Sequence, residues 1–332
     1  MSILSMNYQK LSSSLISIII PMKDESANLE QLFSTLAPIL EVLPIDYEVI
    51  VVNDGSNDNT LAKLIEISKS EHNLKIVDLS RNFGKEAALY AGFNYARGDC
   101  AVAIDADLQD PPELILEMVD WWQQGYEIVT GVHQTRDSDT YLKRKTASLF
   151  YRSINKVSDT KFTPHAGDFR LLDRVAIDAF LSLGERVRFN KGIFAWIGFK
   201  EKLVYHKRSE RSAGTSQWKY LQLFKFAIDG ITSFSKAPLE IWFYLGIFTA
   251  IAGFFYGLFI FTRTILLGID TPGYASLLIF VLFFSGLQMI GIGILGKYIG
   301  RIFIESKRRP IFIVRKIYDG SNIKLKGDKD EL

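Results

Sequence analysis

Short apolar runs alternate with stretches of helical period along the first 130 residues of the chain. Residues 15–20, 47–52, 74–79, 100–104 and 127–130 read as strands, the first of them ended by Pro21. Segments 28–43, 59–70, 85–97 and 113–124 place apolar positions at helical spacing, and Asp58 or Asn57 is the expected cap of the second. The strands are almost unbroken apolar runs, as strands covered on both faces should be. Strands and helices in this alternation predict an α/β domain with a mostly parallel sheet. Beyond Gly131 the pattern loosens, with helices expected over 141–157 and 175–183 and a short strand opening at Gly167-Asp168-Phe169-Arg170.

The C-terminal third follows a different pattern. Residues 241–262 form a stretch of 22 without a charge, and residues 271–296 one of 26. A spanning helix needs roughly 20 predominantly apolar residues, so two transmembrane helices are expected. Glycines run through both, and small residues let membrane helices approach closely. Before them, Leu221, Phe224, Ile228 and Ile231 recur at helical spacing beside Lys219, Lys225 and Lys236. That pattern fits an amphipathic helix on the membrane surface, and equally ordinary packing on the domain. The expected organisation is an extension over 1–14, an α/β domain over 15–215, the amphipathic region over 216–236, two spans within 237–300 and a basic tail over 301–332.

Charge orients this arrangement. From Lys297 to Lys316 the basic residues are Lys297, Arg301, Lys307, Arg308, Arg309, Arg315 and Lys316, against the single acid Glu305. By the positive-inside bias this tail is cytoplasmic, and two spans then place the N-terminal domain on the same side. Residues 1–14 are polar and lack the apolar core of a signal peptide, in keeping with a cytoplasmic catalytic half of an inner-membrane protein. The formal net charge of +2 gives no polyelectrolyte character that would suggest nucleic acid. Cys100 is the only cysteine, so no disulfide within the chain and no cysteine metal site is available; it reads as a small core residue. The four histidines, His72, His133, His165 and His206, are scattered without zinc spacing.

Candidate chemistry gathers at strand ends. The fourth strand runs into Asp105-Ala106-Asp107, followed by Leu108-Gln109-Asp110-Pro111-Pro112. Paired carboxylates there suit Mg²⁺ or Mn²⁺, which bind through one or two carboxylates together with substrate phosphates. The first strand ends in Pro21-Met22-Lys23-Asp24-Glu25 and the second in Asn53-Asp54-Gly55-Ser56. Three strands thus bring carboxylates to the carboxyl edge of one sheet, where open α/β sheets bind ligands. Gly55 would allow close backbone approach to a ligand. No phosphate-binding Gly-x-x-x-x-Gly-Lys-Ser/Thr loop is present, which disfavours a kinase or ATPase.

Five motifs occur in order: Pro21-x-x-x-Glu25, Asn53-Asp54-Gly55-Ser56, Ser80-Arg81-Asn82-Phe83-Gly84-Lys85, Asp105 through Pro112, and Ala166-Gly167-Asp168-Phe169-Arg170. Together they resemble the family 2 glycosyltransferases of the GT-A fold, in particular the polyprenyl-phosphate hexosyltransferases. Bactoprenol glucosyltransferases are the nearest in pattern and dolichyl-phosphate mannose synthases more distant. The resemblance implies a GT-A domain followed by two membrane helices. It further implies transfer of a hexose, glucose first and mannose from GDP-mannose as the alternative, from a UDP-sugar to polyprenyl phosphate with inversion. Pro21, Glu25, Asp54 and Asp105 would hold the nucleotide, and Asp105, Asp107 and Gln109 would hold Mg²⁺ or Mn²⁺ on its diphosphate. Asp107 and Asp168 would be catalytic, Asp168 either as a base or as a residue orienting acceptor or sugar. Arg136, Arg144 and Arg211 would bind the acceptor phosphate, for which the guanidinium fork is suited. The implied partners are a UDP-sugar, a polyprenyl phosphate, the membrane and further copies of the chain in a homo-oligomer. Two departures stand out: Asn53 where relatives usually carry a second Asp, and Ser212 where an aromatic residue usually follows the Arg. A non-catalytic membrane scaffold is the rival from another class, and metal-dependent turnover separates the two.

Overall fold

The computed structural model describes residues 14–133, 166–207, 237–267 and 273–319. One compact unit is built on an eight-stranded sheet and the other on two long helices. The strands are β1 (Leu15–Met22), β2 (Asp46–Asn53), β3 (Leu74–Leu79), β4 (Cys100–Ala103), β5 (Ile128–His133), β6 (Ala166–Asp173), β7 (Glu201–His206) and β8 (Val314–Asp319). Their order across the sheet is β7-β5-β6-β4-β1-β2-β3-β8. Strands β4, β1, β2 and β3 run parallel, and β6 lies antiparallel between β4 and β5.

The helices of this unit are α1 (Leu29–Glu41), α2 (Thr60–Ile67), α3 (Lys85–Tyr95), α4 (Leu114–Gln123), α5 (Arg174–Ser182) and α6 (Asn190–Trp196). The expected alternation is present, with helix ends within three residues of those expected. Strand β1 runs through Pro21, where a stop was expected, and pairs Pro21 with Val52 of β2. On its other side β4 pairs only as far as Ala103, opposite Ile19. The N–H that proline lacks therefore falls where no ladder partner waits.

Burial explains the central order. Ile16, Ile18, Ile19 and Ile20 of β1, Ile50 to Val52 of β2 and Cys100 to Val102 of β4 are wholly enclosed. Helix α3 lies close on β1, since a Cβ added at Gly92 would stand 2.2 Å from Ile19 Cγ2. On the same flank Phe93, Phe180 and Phe194 pack ring against ring, with centroids 4.7 to 6.2 Å apart.

The sheet also takes in part of the segment read as a basic tail. Strand β8 pairs antiparallel with β3, Arg315 donates to the Ser80 carbonyl at 2.7 Å, and Phe312 meets the rings of Tyr90 and Tyr95. Neither β7 nor β8 was expected as a strand. The second unit holds α7 (Ala237–Leu267) and α8 (Tyr274–Ser306), both longer than the charge-free stretches predicted. Each contains a 30-residue candidate span, with mean hydropathies of 1.9 and 2.3. The helices expected over 141–157 and 216–236 lie outside the described residues.

Candidate active site

The register of β4 and β6 builds the site. Ala103 pairs with Arg170 in antiparallel sense, so two residues further along, Asp105 leaving β4 comes opposite Asp168 entering β6. Between them stands Lys85, whose ammonium lies 2.7 Å from Asp105 Oδ1 and 2.7 Å from Asp168 Oδ2. Lys85 is the first residue of α3, where the helix dipole disfavours a cation. Its burial also opposes the charge, yet the two carboxylates outweigh this and hold its pKa above the ordinary lysine value. Burial would raise the Asp168 pKa, but Lys191, Lys85 and Arg170 outweigh it and hold the carboxyl near 2. Asp105 is pushed up, by burial first, with Lys85 opposing and Asp168 adding to the rise.

These groups open on a cleft of about 420 Å³ lined by Pro21, Met22, Lys23, Glu25, Asp54, Asn82, Gly84, Lys85, Ala88, Asp105, Ala106 and Asp107. Five sequence-predicted residues, Pro21, Glu25, Asp54, Asp105 and Asp107, therefore share one wall. Asp168 joins them through Lys85. Gln109 follows Leu108, whose φ of +52° turns the chain sharply; its side chain is buried and not part of the cleft lining. Arg136, Arg144 and Arg211 lie outside the described residues, as does Ser212.

The loops that carry these residues are fastened to one another. Asp24 and Ser56 tie the first loop to the second, through Asp24 N–H to Ser56 Oγ at 2.9 Å and Asn57 N–H to Asp24 Oδ1 at 2.6 Å. Asp58 accepts from Ser26 N–H, Thr60 N–H and Thr60 Oγ–H and so fastens the entry to α2 from one residue before its N-cap, which is Asn59 and not the expected Asp58 or Asn57. The Asp54 carboxylate accepts from Phe83 N–H at 2.6 Å and Gly84 N–H at 2.9 Å, which sets the turn into α3 and thereby aims Lys85. Gly55 sits at φ +63°, and a Cβ there would meet Asn82 N at 2.4 Å. The close approach expected at Gly55 is thus made by the protein's own loop, not reserved for a ligand. Asn53 donates to the buried Asp78 carboxylate at 2.7 Å, a bond an ionised Asp could not make.

A divalent cation fits here. Asp105 and Asp107 present oxygen donors to the cleft, and an ammonium already rests against Asp105. Gln109, whose backbone N–H reaches Asp107 Oδ1 at 3.3 Å, could add only its amide oxygen, since its buried amide nitrogen is a donor. Two carboxylates at the lip of a cleft are the oxygen donors that Mg²⁺ and Mn²⁺ take together with substrate phosphates.

Sequence reasoning missed three features. Lys85 was visible inside a motif, but nothing in sequence indicates where its side chain points. Glu86 is buried beside Asp168, with its carboxyl raised to about 7 by burial and by that neighbouring charge, and it accepts the Asn190 N–H at 2.8 Å. The histidines are not all scattered, because β5 and β7 pair in register and bring His133 beside His206, both next to Asp110.

Comparison with known proteins shows the family of the chain. Residues 17–181 match the model of glycosyl transferase family 2. An uncharacterized glycosyltransferase of Synechocystis sp. is 48% identical over 91% of this chain and 95% of its own length. The SfII prophage-derived bactoprenol glucosyl transferase of Shigella flexneri is 41% identical over 92% of this chain and 99% of its own. Among solved structures, a mannosyltransferase from Pyrobaculum calidifontis in complex with GDP-Man and Mn²⁺ shares 17% identity over 60% of this chain and 59% of that one, with a TM-score of 0.41. The chain is a glycosyltransferase of family 2, with a mostly parallel GT-A type α/β sheet and two apolar C-terminal helices that are candidate membrane spans.

Proposed function

We propose that this protein transfers glucose from UDP-glucose to a polyprenyl phosphate, with inversion, at the cytoplasmic face of a membrane. The observation that carries the reading is the cleft where Asp54, Asp105, Asp107 and Lys85 meet at the carboxyl edge of the sheet. Similarity to bactoprenol glucosyl transferases over nine-tenths of the chain supports both the lipid acceptor and the sugar. The paired helices support a membrane location. Strand β8 follows the second of them and returns to pair with β3, which supports placing tail and catalytic unit on one side.

Pro21 and Glu25, with Asp54 behind them, receive the nucleoside, and Asp105 and Asp107 face its diphosphate. Bound Mg²⁺ or Mn²⁺ would be held by Asp105 and Asp107, with Gln109 beside them, and would offset charge on the departing nucleoside diphosphate. Asp168 acts by orientation. A phosphate monoester has its second pKa near 6, so the acceptor is mostly dianionic at neutral pH and needs no base. Asp168, held near 2 and joined to Lys85, stays ionised and fixes that ammonium in the cleft. Arg136, Arg144 and Arg211 are assigned to the acceptor phosphate. Positioning of two phosphate-bearing substrates for in-line attack supplies much of the rate.

The test is a donor panel. Labelled UDP-glucose, UDP-galactose, UDP-GlcNAc and GDP-mannose are each incubated with purified protein, undecaprenyl phosphate and Mn²⁺, and lipid-linked label is counted. UDP-glucose is expected to lead. Preference for GDP-mannose would overturn the donor assignment while leaving the reaction class intact.

A further inference from the structure

We propose that Asp110, His133 and His206 form a second divalent-cation site, separate from the donor cleft and selective for a borderline ion of the Zn²⁺ type. The three residues come from different elements. Asp110 closes the loop that carries Asp105 and Asp107, His133 is the last residue of β5 and His206 the last of β7. Parallel pairing sets His133 directly beside His206, with ring centroids 4.8 Å apart.

Both imidazoles address the same carboxylate oxygen. Asp110 Oδ1 lies 2.9 Å from His206 Nε2 and 3.5 Å from His133 Nδ1. The three donor atoms all fall within 4.8 Å of one another. Ligands about 2.0–2.1 Å from a tetrahedral zinc stand roughly 3.3–3.4 Å apart, so an ion would spread the 2.9 Å pair and draw in the widest. Both rings therefore face one carboxylate, and an ion entering among the three groups would replace these contacts as their common partner. Asp110 and His206 are enclosed, at 6% and 4% side-chain exposure, and His133 at 22% opens the site to solvent. His206 is held through Nε2 by Asp110, while its Nδ1 is buried without a hydrogen-bond partner among the described residues.

The donor set separates this site from the cleft. Two imidazoles and one carboxylate suit Zn²⁺ or Co²⁺, whereas carboxylates alone suit Mg²⁺ and Mn²⁺. Three protein ligands leave the fourth position to water. An ion here would clamp the Asp105–Asp107 loop to the ends of β5 and β7 and so fix the donor-metal carboxylates from behind. The proposal does not depend on which sugar or lipid the enzyme uses.

The experiment is a Co²⁺ titration of full-length protein in detergent, stripped of metal and free of any polyhistidine tag, in the presence of excess Mg²⁺. Metal content is measured alongside, and Zn²⁺ is used to displace. One equivalent of Co²⁺ with the intense visible absorption of a four-coordinate ion is expected, displaced by Zn²⁺ but not by Mg²⁺. It should persist in Asp105→Asn/Asp107→Asn and disappear in His133→Gln and His206→Gln. Zn²⁺ should raise the melting temperature of the wild type and not of the histidine variants. Wild-type protein that takes up no Mg²⁺-resistant Co²⁺ would overturn the proposal without recourse to any variant, leaving a metal-free hydrogen-bonded clasp. Undiminished binding in folded His206→Gln would overturn it as well.

Discussion

Lys85 occupies the first turn of α3 against the pull of the helix dipole, because Asp105 and Asp168 both lie 2.7 Å from its ammonium. Removing it would leave two buried carboxylates facing each other. Lys85→Ala is expected to lower kcat by about 10²–10³, the usual loss for one preorganised electrostatic group, with the circular dichroism spectrum unchanged; wild-type turnover in the variant would rule out that role. Asn53 teaches a related lesson. Its departure from the usual Asp reads in sequence as one lost charge, whereas the structure shows a donor to buried Asp78. Asn53→Asp should cost about 1–3 kcal/mol by leaving a buried acceptor without its donor, and denaturant melts should show recovery when Asp78→Asn is added. Asp58 supplies the pH dependence. Hydrogen bonds from Thr60 and Ser26 overcome burial and lower its pKa from 3.8 to about 2. A carboxyl depressed in the folded state stabilises fully above its unfolded value, and the contribution fades as pH falls from about 4 toward 2. Acid melts of the wild type and Asp58→Asn should therefore differ at pH 6 and converge near pH 2. At this scale the sequence exposed the residues in motifs, Asp105, Asp107 and Asp168 among them. It showed Lys85 without its direction and hid Glu86 and the His133–His206 pair, which depend on burial or strand register.

Among elements, those with strong local period were legible: β1 to β4 with their intervening helices, and the two long apolar helices. Strand β7 was not, because it is half-exposed and carries Glu201 and Lys202 among its apolar residues. Strand β8 was hidden by its own Arg315 and Lys316, which read as tail charge; it forms only because β3 offers an open edge. The apolar run Ile311-Phe312-Ile313-Val314 was the available signal. Within the second unit, Gly291 matters through what it leaves room for, since a Cβ there would meet the Trp242 ring at 2.0 Å. Gly291→Leu is expected to part α7 from α8 at that level, read as a lower melting temperature in detergent, while Gly293→Leu, with open space at its Cβ, should be tolerated.

For the molecule as a whole, an α/β domain carrying a pair of apolar helices was readable from hydrophobic patterning alone, and the strand-end carboxylates do line one cleft. What patterning could not give was closure of the chain: the residues after α8 complete the same sheet that residues before α7 began. The central claim is that this closed domain moves glucose directly onto a membrane lipid phosphate. The most direct measurement is a single-product assay with ¹³C-labelled UDP-glucose, undecaprenyl phosphate and Mn²⁺, reading the lipid product by NMR. The account predicts β-linked glucosyl phosphate that forms only with divalent metal and is absent with Asp107→Asn. An α-linked product, or equal yield after chelation of the metal, would contradict it.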